Sequence, residues 1–158
     1  MAKGGRNMKI IRVFSVLFAA ALMLTLSQSA FAISGQNDTR ETALNVQSSN
    51  FNFGSYLDKN DVDWFKVVNT SSKEMGAIAT LKSQQYINYD IVAYFPDKGE
   101  EEVLEAQDNG QGKKDVCGTS GLLPGDVIYF KVVGHDGAWG GNGKGLGYSL
   151  NIKRDFDR

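Results

Sequence analysis

Along the second two thirds of the chain, apolar and β-branched runs of five to eight residues recur, separated by clusters of Gly, Asn, Asp, Ser and Lys, with only two prolines in the whole sequence. Such punctuation steers a chain toward strands joined by turns. It predicts eight strands, near Phe51 to Leu57, Trp64 to Asn69, Met75 to Lys82, Tyr86 to Phe95, Glu102 to Ala106, Lys114 to Cys117, Asp126 to Val133 and Leu146 to Lys153. Within them Phe65 and Val67, then Ile128, Phe130 and Val132, then Tyr148, Leu150 and Ile152 recur at period two, the pattern of a strand with one buried face. These residues are the expected core of an all-β sandwich. A helix is least excluded between Asp38 and Val46, where Thr42, Asn45 and Val46 would keep it short.

The N-terminus has a different grammar. Lys3, Arg6, Lys9 and Arg12 precede an apolar stretch from Val13 to Leu26, and the small-residue tripeptide Ala30-Phe31-Ala32 follows. That order is an export signal. The apolar stretch is shorter than the roughly 20 residues that cross a bilayer as a helix. Residues 1–32 are therefore expected to be removed after Ala32, leaving residues 33–158 as a single secreted, extracellular domain with no membrane attachment.

The signal holds four of the 17 basic residues and none of the 18 acidic ones, so the mature chain carries 13 against 18, a formal charge of −5. Nucleic acid is not an expected partner, because phosphate binding needs a concentrated basic surface. The single cysteine, Cys117, has no internal partner for a disulfide, so the core or a bound ion must hold the fold. Its two readings are a buried, inert thiol and a thiol paired between molecules.

Asp58-Lys59-Asn60-Asp61-Val62-Asp63 is an acidic turn leading into the strand that begins at Trp64. Calcium takes six to eight oxygen ligands, and closely spaced Asp and Asn side chains supply them locally. The segment is not an EF-hand: the ligand alternation breaks at Val62 and the required glycine is missing. On composition alone, a solvated turn and a Ca²⁺ site both stand.

Asn37-Asp38-Thr39 with Ala43, Gly54-Ser55-Tyr56, Asp61-Val62-Asp63-Trp64-Phe65, Pro124-Gly125 ahead of Ile128-Tyr129-Phe130-Lys131-Val132, and Gly147-Tyr148-Ser149-Leu150 follow one another in an order that resembles the bacterial pre-peptidase C-terminal domain. They also resemble its relative, the collagen-binding domain of clostridial collagenases. The likeness spans about residues 36 to 153, and its specificity lies in the order of short motifs. It implies a jelly-roll-like β-sandwich that acts in substrate binding, secretion or stability of secreted proteases rather than in catalysis. It further implies a Ca²⁺ site at Asn37, Asp38, Asn60 and Asp63, with Asp61 as an additional ligand. The collagen-binding relatives carry glutamates just upstream, where this chain has Ser34, Gly35 and Gln36, so the affinity expected here falls toward the millimolar range.

The glycine-rich segment from Gly134 to Gly147 joins the last two predicted strands. It fails the phosphate-loop pattern, because Ala138 replaces the first glycine and Gly145 replaces the magnesium-binding hydroxyl residue. Two readings remain: a mobile loop presenting Trp139 and His135 to a ligand, or a connection whose tryptophan folds back over the sandwich edge. His135 is the sole histidine, which rules out a multi-histidine metal site, and its plain reading is an exposed loop residue. Tyr129, with Tyr86, Tyr89, Tyr94 and Trp64, completes the aromatic supply for either a binding face or the core. Asp108-Asn109-Gly110 has hairpin-turn chemistry, and the Glu100-Glu101-Glu102 run reads as a solvated strand edge.

Three functions follow, from different classes. The first is a secreted non-catalytic module that binds an extracellular protein or polymer, collagen-like or cell-wall, with Ca²⁺ as its ion. The second is an accessory partner of a secreted protease, as inhibitor, stabiliser or substrate presenter. The third and weakest is a small hydrolase.

Overall fold

The computed structural model describes residues 36–96, 102–140 and 146–155; the expected export signal lies outside them. Among the described residues nine strands occur in this order: β1 (Leu44–Asn45), β2 (Asn50–Ser55), β3 (Asp63–Val68), β4 (Met75–Ser83), β5 (Tyr89–Phe95), β6 (Glu102–Glu105), β7 (Lys114–Leu122), β8 (Val127–Gly134) and β9 (Tyr148–Asp155). They form a five-stranded sheet ordered β1-β3-β8-β5-β6 and a four-stranded sheet ordered β2-β9-β4-β7. From β2 onward the chain mostly alternates between the sheets, which gives a jelly-roll-like sandwich. Every pairing is antiparallel except β1 with β3.

The core lies between the sheets. All eight residues expected from the period-two pattern are buried there. Phe53 and Phe65 meet edge to face at 5.0 Å, and Tyr89 and Tyr148 do so at 5.6 Å, joining the two layers. Each fully buried large apolar side chain contributes roughly 1.5–3 kcal/mol of transfer free energy, which fixes strand register because a one-residue slip would turn the whole set outward.

Three expectations are corrected. The segment from Asp38 to Val46 contains no helix: Thr39 and Thr42 bond each other through side chains and backbone around a turn, and Leu44–Asn45 pairs with β3. Local Thr bonding of this kind competes with helical turns. The strand expected from Tyr86 begins at Tyr89, because Tyr86 sits at φ 76 in a turn closed by Ile87 N–H donating to the Gln84 carbonyl at 3.3 Å. The strand expected to end at Cys117 runs on to Leu122 through Gly118 at φ 155. An added Cβ there would lie 2.2 Å from the Ala77 carbonyl oxygen, so only glycine lets β7 stay against β4.

Candidate functional site

The acidic turn is brought beside the N-terminal segment. Trp64 N–H, at the start of β3, donates to the Asn37 carbonyl at 2.8 Å, which anchors Asn37 and Asp38 against the Asp61-Val62-Asp63 corner. The turn is closed by Asp61 N–H donating to the Asp58 carbonyl at 3.1 Å. The Asp61 carboxylate accepts from Val62 N–H at 2.9 Å and from Asp58 N–H at 3.4 Å. Asn60 occupies the exposed tip in the left-handed region, φ 65, as does the half-buried Asn37, also φ 65.

Charge is concentrated in this corner. Asp63 is buried and accepts a hydrogen bond from the Tyr148 hydroxyl. Burial pushes its carboxyl up to about 6, against the pull of that hydrogen bond, and the charges of Asp61 and Asp38 add to the rise. Asp61 is raised as well, first by burial and then by Asp38 and Asp58. Buried Asp38 Oδ1 has no hydrogen-bond partner. One buried carboxylate beside two half-buried ones, with an orphaned Asp38 oxygen among them, makes surroundings in which a hard cation is favoured.

The three residues expected to present a ligand-binding surface have separate surroundings. Tyr129 lies on the outer face of the five-stranded sheet, paired with Tyr94 on β5 and Lys66 on β3. Trp64 packs against Tyr94 at 5.1 Å and Tyr129 at 6.4 Å, and the Arg40 guanidinium lies 4.7 Å from the Tyr94 ring and 5.1 Å from the Trp64 ring. Arg40 was not expected in this role; a lone arginine in a turn gives no local signal of the rings it will cover. Trp139 is half-buried, and the neighbouring Gly140 N–H donates to the Leu57 carbonyl at 2.9 Å, which folds the loop back over the end of the sandwich. Residues 141–145 of that loop lie outside the described residues.

His135 is far from an unengaged loop residue. Its Nδ1 lies 2.9 Å from Asp90 Oδ2 and 3.5 Å from Asp108 Oδ2. The hydrogen bond with Asp90 and the surrounding carboxylate charge raise its pKa. Burial raises Asp90, opposed by His135, whereas hydrogen bonds from Asn88 and Gly110 lower Asp108. Among the described residues, Asp90, Asp108 and His135 are the one group of three metal-ligating side chains whose donor atoms all lie within 4.8 Å of one another; the acidic corner is not drawn to that spacing. The sequence offers Asp90 and Asp108 as carboxylates but nothing that places them beside His135, because Asp90 sits inside an apolar run, where an outward-facing carboxylate looks like ordinary alternation.

The outer face of the four-stranded sheet exposes Ile78 and Val116 amid Thr80, Lys82, Lys114, Asn151 and Lys153. At its end a shallow cleft of about 860 Å³ is lined by Lys82, Gln84, Tyr86, Lys113, Tyr148 and others, and Tyr86 is 73% exposed. Cys117 is buried on the opposite face, its thiol donating to the Leu104 carbonyl at 3.1 Å and pushed up in pKa by burial.

No protein-family model matches the sequence, and no curated protein sequence matches it. Among solved structures, the pre-peptidase C-terminal domain of a collagenase from Bacillus anthracis is similar at a TM-score of 0.52 and 16% identity, covering 74% of this chain and 100% of that domain. A periplasmic inhibitor of g-type lysozyme from Salmonella Typhimurium is similar at a TM-score of 0.43 and 15% identity, covering 72% of this chain and 97% of that one. The first likeness shows a pre-peptidase C-terminal-like fold, the architecture that the order of the sequence motifs implies.

Proposed function

We propose that this chain is an exported, non-catalytic module that binds an extracellular protein or polymer, collagen-like or cell-wall, and holds Ca²⁺ in its acidic corner. The observation that carries the ion is the buried, unpartnered Asp38 Oδ1 beside Asp61 and Asp63. Asp38, Asp61 and Asp63 would supply charged oxygens, with Asn37 and Asn60 completing the shell, and the ion would draw together carboxylates that now repel one another. Its chemistry there is neutralisation of buried charge and attachment of the N-terminal segment to β3.

The binding role is supported by the likeness to a domain of a collagenase and by a flat sheet face with exposed apolar and lysine side chains beside a protruding tyrosine. Tyrosine in such a position offers contact area at little entropic cost. Catalysis through a cysteine nucleophile is disfavoured on chemical grounds: the sole thiol is buried with a raised pKa.

Two measurements test the proposal. Calorimetry and melting of the full chain with CaCl₂ up to roughly 10 mM, near the upper end of extracellular module affinities, should give heat and a raised melting temperature. Neither response in that range removes the ion. Co-sedimentation with insoluble collagen and with cell-wall polymer should retain the protein, and Tyr86→Ala should reduce retention. Failure on both polymers, with capture of a protease from the culture supernatant instead, would replace the polymer-binding reading with the accessory one.

A further inference from the structure

One strand and two turns deliver a second constellation, distinct from the acidic corner. Asp90 comes from β5, Asp108 from the turn after β6, and His135 from the 3-10 turn that follows β8. His Nδ1 lies 2.9 Å from Asp90 Oδ2 and 3.5 Å from Asp108 Oδ2. A tetrahedral ion with bonds of about 2.0–2.1 Å sets its ligand atoms roughly 3.4 Å apart; the two separations from His135 Nδ1 bracket that length, and all three donors lie within 4.8 Å of one another.

The backbone holds them there. His135 N–H donates to the Asn88 carbonyl at 3.2 Å, and Ala138 N–H donates to the His135 carbonyl at 2.9 Å. A Cβ on Gly134 would lie 1.8 Å from the Ala138 carbonyl oxygen, so the turn that aims the imidazole closes only over glycine. Asp108 Oδ1 accepts from Gly110 N–H at 2.7 Å and from Asn88 Nδ2 at 3.0 Å, leaving Oδ2 toward the histidine. On the far side of the ring, Nε2 stands 3.5 Å from the exposed Asp136 carboxylate, the kind of partner that fixes which nitrogen of a ligating imidazole keeps its proton.

Asn88 is only 8% exposed, and its Nδ2 donates to Asp108 Oδ1 at 3.0 Å, which holds that carboxylate from behind. Side-chain exposures of 39% for His135, 29% for Asp90 and 38% for Asp108 leave an open path from solvent and a position for water.

We propose that Asp90, Asp108 and His135, with Asn88 behind them, form a binding site for one divalent transition-metal ion of the Zn²⁺ type. The mixed imidazole and carboxylate donors suit such an ion, whereas Ca²⁺ prefers an all-oxygen shell.

Because the chain has one histidine, its imidazole proton resonances report this site alone. Addition of ZnCl₂ to the full chain should shift those resonances to an end point at one equivalent, and chelation with EDTA should reverse the shift. Asp108→Asn and Asp90→Asn should each weaken the response by about tenfold or more, while Asp63→Asn, in the acidic corner, should leave it intact. Melting curves of the variants verify that they are folded. Imidazole resonances unmoved by a several-fold molar excess of ZnCl₂, or moved equally in Asp108→Asn and Asp90→Asn, would overturn the site and leave a plain ion pair. CaCl₂ added alone tests the acidic corner independently, so either site can fail without the other.

Discussion

The Tyr148 hydroxyl donates a hydrogen bond to the Asp63 carboxylate inside the sandwich, joining β9 of the four-stranded sheet to β3 of the five-stranded sheet. The two residues are 85 apart in sequence, and both are buried. Tyr148 therefore supplies Asp63 with a donor where water is excluded, and burial, then the neighbouring carboxylate, push the phenol pKa upward. Tyr148→Phe should cost about 1–3 kcal/mol in urea unfolding at neutral pH, because it leaves a buried carboxylate oxygen without its donor. The same change in an Asp63→Asn background should cost less, since hydrogen bonds to charged groups are the stronger ones. Equal costs in both backgrounds would show that the hydroxyl acts only through packing.

Asp63 also sets a pH dependence. Its carboxyl is raised from 3.8 to about 6, so the folded state binds a proton that the unfolded chain releases between those values. Stability should then be highest below about pH 4 with respect to this group, and should fall as pH rises through 6, by an amount on the order of 2–3 kcal/mol. Asp63→Asn cannot ionise in either state. In EDTA, the difference in unfolding free energy between the variant and the parent should widen in the variant's favour from pH 4 to pH 7; a difference that stays flat would contradict the assigned cause.

Arg154 on β9 is a buried clamp. Its guanidinium donates to the Gln47 carbonyl at 2.5 Å, the Val68 carbonyl at 3.2 Å and the Val46 carbonyl at 3.4 Å. These tie the connection between β1 and β2 and the end of β3 to the last strand. Arg154→Ala should destabilise the fold by about 2–4 kcal/mol, since it strands several backbone acceptors. Arg154→Lys should recover little, because a single ammonium lacks the planar fork that reaches three carbonyls. Thermal unfolding of both variants decides the matter.

Gly118 gives a purely steric test. At φ 155, with an added Cβ 2.2 Å from the Ala77 carbonyl oxygen and 2.8 Å from Ile78 Cα, alanine forces β7 away from β4. Gly118→Ala should cost more than about 2 kcal/mol, and amide exchange should accelerate first along Ala77 to Leu81. Protection unchanged along that stretch would mean the ladder absorbs the side chain.

Alternation of apolar and polar residues is a local property, and it alone determined the strands and the buried face of Phe65, Val67, Ile128, Phe130, Val132, Tyr148, Leu150 and Ile152. The acidic corner was legible for the same reason, since Asp58 to Asp63 are neighbours along the chain; the place of Asn37 and Asp38 beside them came from the ordered resemblance of several motifs. Tertiary structure alone decided the rest. Asp90 and His135 are 45 residues apart, and β5 must pair with β8 in one register before their side chains can meet. Arg40 finds its aromatic rings only after β3, β8 and β5 pair side by side, and Arg154 its carbonyls only after the sheets are stacked. No spacing in the sequence encodes such contacts, because they depend on which strands become neighbours and on which end of the sandwich each turn closes.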